Sequence, residues 1–401
     1  MTTPPALSGG PGPDIADGIR SDPRVEPPIE QPRGPAPTAV RALGIPTDKP
    51  LTEGYAEVEY LRERAYSIDW ESVAPAPREM SRGALSPEER LLIEGLYELR
   101  ILTTGQIERG FLGSIRERHV RRRLSRLRDM GMVQRGSIYC AGRRGRRMSI
   151  YALAKNGFAL LCADPDHPAS GKWNRSPRRG AQHVAHDLSR NEWFFAFHSL
   201  APRQLVGYRG TGSGRIRSDK LSSIVPDLTL ELQLERSDEP RIEVDLLVEI
   251  EWRNNRDTVR GKAIAYDHLL NHWWCEHPRY RAHGRPPNVC FVVPDLQRAH
   301  RYIANLDEAL QEHVVIPPHT QTRRENELGI VPTVQRIYRG RRRIFVTVAA
   351  DVHRRTLRAW QVPDKPPEER VREPGNEGEE ARAIPRRVQL LSSCDLVDPA
   401  A

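Results

Sequence analysis

Residues 242–252, which read "IEVDLLVEIEW", alternate apolar and acidic side chains in a pattern typical of a β-strand. The even-numbered positions are apolar and form one face of the strand, whereas the odd-numbered positions form the other face. That second face carries four carboxylates, at Glu243, Asp245, Glu249 and Glu251. Because like charges on one face repel and acidic residues are poor strand formers, these carboxylates need a compensating environment. A metal ion, basic side chains or solvent would each provide one.

The segments around this strand extend it into a larger domain. Residues 224–234, "IVPDLTLELQL", alternate in the same way and carry Asp227 near their start. A polar turn joins the two segments, so we predict an antiparallel hairpin with one apolar and one acidic face. Helical patterns lie at 181–200 and 255–274, and an apolar strand follows. We therefore predict an α/β domain over residues 181–361.

The preceding region has helical patterns and a basic hairpin. Capping boxes begin at Ser86 and Thr103, and the arginine-rich stretch 114–130 has a narrow apolar stripe at helical spacing. Two apolar runs joined by the tip "AGRRGRR" (141–147) then indicate a hairpin. Three helices followed by a basic hairpin is the order of a winged helix-turn-helix. We predict such a domain over residues 85–162, with the arginine-rich stretch as recognition helix and the tip as wing.

Proline content sets the limits of these two domains. The chain has 34 prolines in 401 residues, and they crowd toward both ends. We predict a disordered arm at 1–84, a linker at 163–180 and a disordered tail at 362–401. The predicted fold class is therefore α+β, with a winged helix-turn-helix domain, then an α/β domain, between disordered Pro-rich termini.

Cysteine usage and hydropathy indicate a cytoplasmic protein without membrane contact. The five cysteines form no C-x-x-C pair, which argues against a disulfide framework and a structural zinc site. No apolar run reaches the length of a membrane span, and the first residues lack the pattern of a signal peptide.

The charge pattern favours a polyanionic partner. The formal net charge is +9, and we predict double-stranded DNA as the partner. Arginines on a recognition helix and a wing reach phosphates and groove edges. The predicted DNA-binding residues are Arg118, Arg121, Arg122, Arg126, Arg143, Arg144, Arg146 and Arg147. Because arginine far outnumbers lysine throughout the chain, a solvated basic face is the alternative.

The acidic hairpin is a candidate metal site. Mg²⁺ prefers hard carboxylate oxygens that converge from adjacent strands, with a cation or base beside them to orient water. Asp227 and Glu249 are the candidate Mg²⁺ ligands. The catalytic candidates are these two residues together with Glu251 and Lys262. An exposed acidic face without metal is the alternative.

Other polar residues nearby have plain structural interpretations. Lys262 and Tyr266 lie four residues apart on a helix and are expected to be a packed pair. His186 is expected to be a buried, hydrogen-bonded histidine. The stretch "HWWCEH" (272–277) matches no zinc-ligand spacing, so core packing is expected there.

The order of a helix, a Pro-Asp strand, a Glu-x-Glu strand, a helix and a buried strand resembles the PD-(D/E)XK nuclease fold. That fold usually has a lysine at the position of Glu251. Glu251 substitutes for it, or Lys262 supplies the ammonium group from the next helix, or the site is inactive. The sequence leaves these three alternatives open.

With the winged helix and the stretch "HDLSRNEWFFAF" (186–197), the chain resembles the replication-relaxation family over about residues 86–310. The resemblance implies a DNA-associated protein of a plasmid or integrated mobile element, with replication or mobilisation proteins as further partners. Two functions follow from it. One is a Mg²⁺-dependent DNA nickase or nuclease. The other is a non-catalytic DNA-binding or transcription-regulatory protein with an inactive nuclease-like domain.

Overall fold

The structure of the chain is a computed structural model. It describes residues 51–72, 85–112, 117–140, 147–169, 173, 180–217, 223–235, 241–252, 255–316, 335–354, 356–370 and 386–393. These residues all belong to one contact unit, Gln31–Ala401. Helices and strands are mixed along this unit, as the α+β prediction requires.

The first part of the described chain combines helices with a small antiparallel sheet. Its helices are α1 (Leu51–Arg64), α2 (Pro87–Leu99), α3 (Thr104–Gly110), α4 (Glu117–Asp129) and α5 (Lys155–Cys162). Its strands are β1 (Ala65–Trp70), β2 (Ile101–Thr103), β3 (Val133–Cys140) and β4 (Arg147–Leu153). They pair in the order β1-β3-β4-β2.

Local sequence signals explain where these helices begin and end. Ser86 and Thr103 each form the predicted capping box, with Glu89 and Gln106 as the reciprocal partners. The apolar stripe of α4 is fully buried: Val120, Leu124 and Leu127. Gly131 follows α4 with φ +65°, the left-handed conformation that stops a helix.

The second part is built on a mixed sheet. Its strands are β5 (Leu205–Arg209), β6 (Leu228–Leu234), β7 (Ile242–Ile250), β8 (Asn288–Val293), β11 (Ile344–Val348), β12 (Arg358–Gln361) and β13 (Arg386–Gln389). The order across the sheet is β13-β12-β11-β8-β7-β6-β5. Strands β7, β8 and β11 are parallel, and the other pairs are antiparallel. A separate pair contains β9 (Val314–Ile316) and β10 (Gln335–Ile337).

Helices connect these strands and cover both faces of the sheet. They are α6 (Ala181–Leu200), α7 (Arg256–His268), α8 (Pro278–His283), α9 (Leu296–Ala309), α10 (Arg339–Arg343), α11 (Ala349–His353), α12 (Pro367–Arg370) and α13 (Leu390–Ser393). A π-helical turn, Leu269–Trp273, and a 3-10 turn, Trp274–Glu276, follow α7 directly.

The two faces of the sheet belong to different apolar cores. The even-numbered residues of β7 pack with the aromatic residues of α6, such as Trp193 and Phe194. Leu247, on the odd-numbered face, packs with residues of α7 and α9, such as Ala263 and Ile303. From Asp245 to Glu251 the acidic face of β7 therefore lies under helices, whereas Glu243 at its start is exposed.

The core on the α6 side is continuous with the first part of the chain. It includes Leu92, Leu124 and Phe158 together with Phe195 and Leu230. Residues from both sides of the expected linker thus share one apolar cluster. The linker at 163–180 and the domain limits beside it stay predictions.

Two described segments correct the expected disordered termini. In the expected arm, Val58 and Leu61 of α1 are buried, and β1 pairs with β3. In the expected tail, β13 pairs with β12 and extends the large sheet. Each segment has a few well-spaced apolar residues that complete an existing core or sheet, which a composition rich in proline and charge conceals. Among the described residues, no helix is long and apolar enough to cross a membrane.

Candidate functional site

Strand pairing brings the predicted carboxylates together at one end of the hairpin. Asp227 directly precedes β6, Glu249 is the penultimate residue of β7, and Glu251 directly follows that strand. Leu228 pairs with Val248, so the start of β6 lies beside the end of β7. The backbone amide of Ile250 donates a hydrogen bond of 2.8 Å to Asp227 Oδ2. The carboxyl end of β7 is therefore the position of the candidate site.

Lys262 points inward from α7 and bridges two of these carboxylates. Its Nζ donates to Glu249 Oε2 at 2.6 Å and to an oxygen of Glu251. The side chains of Glu249 and Glu251 are 5% and 9% exposed, whereas that of Lys262 is 33% exposed. The ammonium group thus links the buried acids to the surface. Asp227, Glu249, Glu251 and Lys262 are called the carboxylate–lysine cluster below.

Tyr266 and His186 complete the hydrogen bonding of this cluster. The Tyr266 hydroxyl donates to Glu249 Oε1 at 2.5 Å, one helical turn after Lys262. His186 Nε2, on α6, lies 3.0 Å from the carbonyl oxygen of Ile250 and 3.4 Å from Asp227 Oδ2. A carbonyl oxygen only accepts hydrogen bonds, so Nε2 is the protonated nitrogen. His186 therefore contacts the site, which its expected structural role did not include.

The environment keeps Asp227 ionised. Burial raises the pKa of Asp227, but the hydrogen bond and charge of His186, the charge of Lys262 and the Ile250 amide together lower it to about 2. Burial lowers the pKa of His186, and its contacts with Asp227 raise it above the usual value. A neutral solution thus leaves a negative charge at the start of β6.

The pKa of Glu249 is shifted upward, in the opposite direction to that of Asp227. Burial and the negative charge of Asp227 raise the pKa of Glu249 to about 7, against the lowering effects of Lys262 and Tyr266. Burial lowers the pKa of Lys262, but the three carboxylates raise it above its usual range. Glu249 therefore exchanges a proton near neutral pH while Lys262 stays charged.

The donor chemistry of the cluster fits a hard divalent cation. Three carboxylates against one ammonium leave two excess negative charges when Glu249 is ionised and His186 is neutral. Carboxylate oxygens are the donors that Mg²⁺ prefers. Asp227 and Glu249 are the residues that would hold it. Because Lys262 and Tyr266 already bond both oxygens of Glu249, a cation would have to share this carboxylate with them.

The other acids of the hairpin have arginine partners instead. Arg279 donates two hydrogen bonds of 2.6 Å to Asp245 and lies 3.2 Å from Glu231. Arg209 donates to Glu231 at 2.8 Å. These residues, Arg209, Glu231, Asp245 and Arg279, are called the arginine-paired cluster. Two arginines face two carboxylates in this cluster, so it has no excess charge.

A cleft opens at the carboxyl ends of the parallel strands. Its walls include Ile250 and Trp252 after β7, Pro294 after β8, and Arg62 on α1. The Arg62 guanidinium lies over the Trp252 ring, 5.6 Å from its centroid. In open α/β sheets this edge is where ligands bind. Helix α1, from the segment expected to be disordered, thus forms one wall of the cleft.

The arginine candidates of α4 have different environments. Arg118, Arg121 and Arg122 are exposed. Arg126 pairs with the buried Glu89 of the α2 capping box, so it has a structural partner. Three candidates of the wing lie outside the described residues: Arg143, Arg144 and Arg146. Arg147 begins β4, and its side chain also lies outside the described part.

A comparison with known families finds a similarity over the middle of the chain. A family model described as replication-relaxation matches residues 93–281. The matched span, just under half of the chain, is similar to that family and includes both α4 and the carboxylate–lysine cluster. No curated protein and no solved structure matches the chain.

Proposed function

We propose that this chain binds duplex DNA and cleaves it with Mg²⁺, as a replication or mobilisation protein of a plasmid or integrated mobile element in the cytoplasm. The observation that carries the proposal is the inward position of Lys262, which bonds Glu249 and Glu251 at the strand end that Asp227 shares. Duplex DNA and other replication or mobilisation proteins are the proposed partners.

The DNA-binding half of the proposal rests on element order and exposure. The order α2, β2, α3, α4, β3, β4 is that of a winged helix-turn-helix. Helix α4 buries its apolar stripe and turns Arg118, Arg121 and Arg122 outward. A buried stripe that anchors the helix and an exposed basic face are what a recognition helix requires.

The nuclease half rests on the resemblance of the second part to the PD-(D/E)XK fold. A hairpin with acids at one end, an adjacent parallel strand and flanking helices match the order of that fold. The lysine differs, since Lys262 comes from α7 and not from the strand position of Glu251. Its contacts with both glutamates support the alternative in which the helix supplies the ammonium group.

In this mechanism, Mg²⁺ bound by Asp227 and Glu249 would supply Lewis-acid stabilisation and an activated water. His186 and the Ile250 amide orient Asp227 and keep it ionised. Lys262 and Tyr266 donate to the two oxygens of Glu249 and so fix the orientation of this carboxylate. Lys262 holds a positive charge where the negative charge of a scissile phosphate increases during hydrolysis.

A second candidate function is DNA binding without cleavage. The hydrogen bonds from Lys262 and Tyr266 to both oxygens of Glu249 favour it, because they satisfy this carboxylate without any metal. The cluster would then be an internal ion pair that stabilises the hairpin.

Cleavage of supercoiled plasmid carrying the cognate origin tests the nuclease. We expect relaxed or linear product with Mg²⁺, and at least about a 100-fold loss of rate in Asp227→Asn and Glu249→Gln. Glu243→Gln is the matched control, since Glu243 lies on the same strand with a 62% exposed side chain. No cleavage by any of the four proteins, with DNA binding intact, would leave the non-catalytic function.

The salt dependence of DNA binding tests the role of α4. Removing one arginine that binds a phosphate makes the plot of log affinity against log salt shallower by about one unit of slope. We expect this reduction in Arg118→Ala and in Arg122→Ala, with wild-type stability. Arg241→Ala, an exposed arginine of the hairpin, is the control and should keep the wild-type slope. Unchanged slopes in both α4 variants would exclude this face from the DNA interface.

A further inference from the structure

Two histidines and a glutamate converge at the C-terminal end of α7, outside the site already described. His268 ends α7, His272 lies in the π-helical turn that follows, and Glu312 lies after α9. His268 Nδ1 is 3.1 Å from Glu312 Oε2, and His272 Nε2 is 3.2 Å from the same oxygen. One ligand atom from each residue lies within 4.8 Å of the other two. These residues are called the His–His–Glu triad.

The spacing of the triad suits a transition-metal ion. A tetrahedral Zn²⁺ with bonds of about 2.0–2.1 Å separates its ligand atoms by about 3.4 Å. Both histidine–glutamate distances are within a few tenths of an ångström of that value. The two imidazoles lie four residues apart, and their ring centroids are 5.5 Å apart, so both face one point. Two imidazoles and a carboxylate are ligands of catalytic and regulatory zinc sites, which keep a further position for water.

A buried polar scaffold holds the triad in place. Asp267, next to His268, is 2% exposed, and its Oδ2 accepts hydrogen bonds of 2.9 Å from the amides of Gln311 and Glu312. Asn271, next to His272, donates to Asp267 Oδ1 at 2.8 Å. The segment that carries Glu312 is therefore fastened directly to the turn that carries both histidines. Such outer contacts fix ligand geometry at metal sites.

Gly340 shows how closely this scaffold is packed. A Cβ atom at position 340 would lie 2.3 Å from Asp267 Oδ1. The Gly340 amide lies 3.3 Å from Asn271 Oδ1 and donates to it. A larger residue would displace the carboxylate that positions Glu312. The chain thus keeps the space that the scaffold of the triad needs.

The triad is accessible to solvent, whereas the scaffold residues Asp267 and Asn271 are buried. The side chains of His268, His272 and Glu312 are 36%, 46% and 34% exposed. An ion can enter from solvent and keep water in its remaining position. The ligand chemistry also differs from that of the carboxylate–lysine cluster, which has oxygen donors and an ammonium group. Imidazole nitrogen favours Zn²⁺ over Mg²⁺.

We propose that His268, His272 and Glu312 bind a Zn²⁺ ion that links the end of α7 to the segment after α9. Coordination uses a nitrogen lone pair of each imidazole and an oxygen of the carboxylate, so protons compete with the ion for the same atoms. Because the ion joins two segments of the folded chain, it also stabilises the native state.

Calorimetric titration of the full chain with Zn²⁺ alone tests the proposal. We expect one Zn²⁺ per chain and at least about tenfold weaker binding in His272→Ala and Glu312→Gln. Cys275→Ser and Glu249→Gln are the controls. The first removes a nearby thiol, and the second alters the other candidate metal site, so both should keep the wild-type affinity.

Visible absorption of bound Co²⁺ and circular dichroism of the variants provide two further checks. Co²⁺ in place of Zn²⁺ should give the visible absorption of a nitrogen-coordinated four- or five-coordinate ion in the wild type and lose it in His272→Ala. Circular dichroism of the metal-free variants checks that they fold, as the exposure of His272 leads us to expect. Absence of Zn²⁺ binding, or binding that depends on Glu249 or Cys275 and not on His272, would overturn the proposal.

Discussion

Midway along β7, Asp245 receives two hydrogen bonds from Arg279, whereas near the end of the same strand Glu249 is bonded by Lys262 and Tyr266. The first carboxylate is matched by a permanent cation in bidentate geometry. The second shares one ammonium group with Glu251 and lies near ionised Asp227. One alternating sequence thus produces a neutral cluster and, four residues later, a cluster with excess negative charge.

The difference separates a structural ion pair from a candidate reactive site. Where positive and negative charges are equal, burial locks the residues into one state, and the pairs serve to hold α8 against the sheet. Where negative charge is in excess, a further cation or a proton would be attracted electrostatically. The number of acids on a strand therefore does not locate a metal site. The partners that the fold brings to each acid do.

The largest effect on stability is expected from a substitution in the arginine-paired cluster, the neutral end of the hairpin. Arg279→Met leaves Asp245, whose side chain is 1% exposed, without its cation. We expect the free energy of unfolding to fall by about 3–5 kcal/mol, because an unpaired buried charge keeps its desolvation cost. Urea unfolding at neutral pH measures this loss. A decrease below about 1 kcal/mol would mean that the arginine-paired cluster is not a structural ion pair.

The next effect is a pH dependence of stability that comes from Glu249 in the carboxylate–lysine cluster. The pKa of Glu249 is raised from 4.5 to about 7, so the folded chain retains a proton that the unfolded chain releases within this window. The wild type should therefore lose stability relative to Glu249→Gln as pH rises from 4.5 to 7, by about 3 kcal/mol at most.

Urea unfolding of both proteins below pH 4.5 and above pH 7 measures that change. The difference between the two proteins matters, and not either profile alone, because other groups titrate in the same range. Asp245→Asn gives the reference for a buried carboxylate of the same strand that is paired with arginine. A difference between wild type and Glu249→Gln that stays constant with pH would contradict the environment described for Glu249.

A smaller effect is expected from Mg²⁺, which should stabilise the fold by binding where negative charge is in excess. Mg²⁺ at ten times its dissociation constant should stabilise the wild type by about 1.4 kcal/mol, since only the folded chain assembles the site. Asp227→Asn should lose this increment, whereas Glu231→Gln, at the neutral end, should retain it. Thermal unfolding with and without Mg²⁺ measures the increment. An equal increment in all three proteins would place Mg²⁺ binding elsewhere.

The smallest effect is expected at the exposed turn of the hairpin. Arg241 and Glu235 form an ion pair with side chains 59% and 73% exposed. Solvent screens such pairs, so Arg241→Met should change the free energy of unfolding by less than about 1 kcal/mol. The same urea experiments measure it. A loss as large as that of Arg279→Met would remove the distinction between buried and exposed pairing along this hairpin.

Periodicity and capping signals predicted much of this fold. The helix at 181–200, the hairpin of β6 and β7, both capping boxes and the apolar stripe of α4 follow from local patterns, which burial and backbone hydrogen bonding enforce directly. Strands β5, β12 and β13 did not, because each is short and takes its stability from a neighbouring strand.

The partners of the candidate site were the least predictable part. Asp227 and Glu249 were predictable from the pairing of the hairpin strands, and Lys262 from its place on the helix that directly follows β7. His186 lies far before Asp227 in the chain, so no local pattern could connect them. The spacing of His268 and His272 was visible, but Glu312 joins them only through the path of the chain after α9.

The position of β1 has a consequence for how this protein is handled. Strand β1 covers the outer side of β3, and α1 packs against α6. A chain shortened to begin at residue 85 would keep α4, the carboxylate–lysine cluster and the His–His–Glu triad, but it would leave β3 as an open edge strand beside an uncovered apolar patch. Such edges pair with other molecules, so the shortened protein should self-associate. The segment at 51–72 is thus expected to protect the folded chain against aggregation.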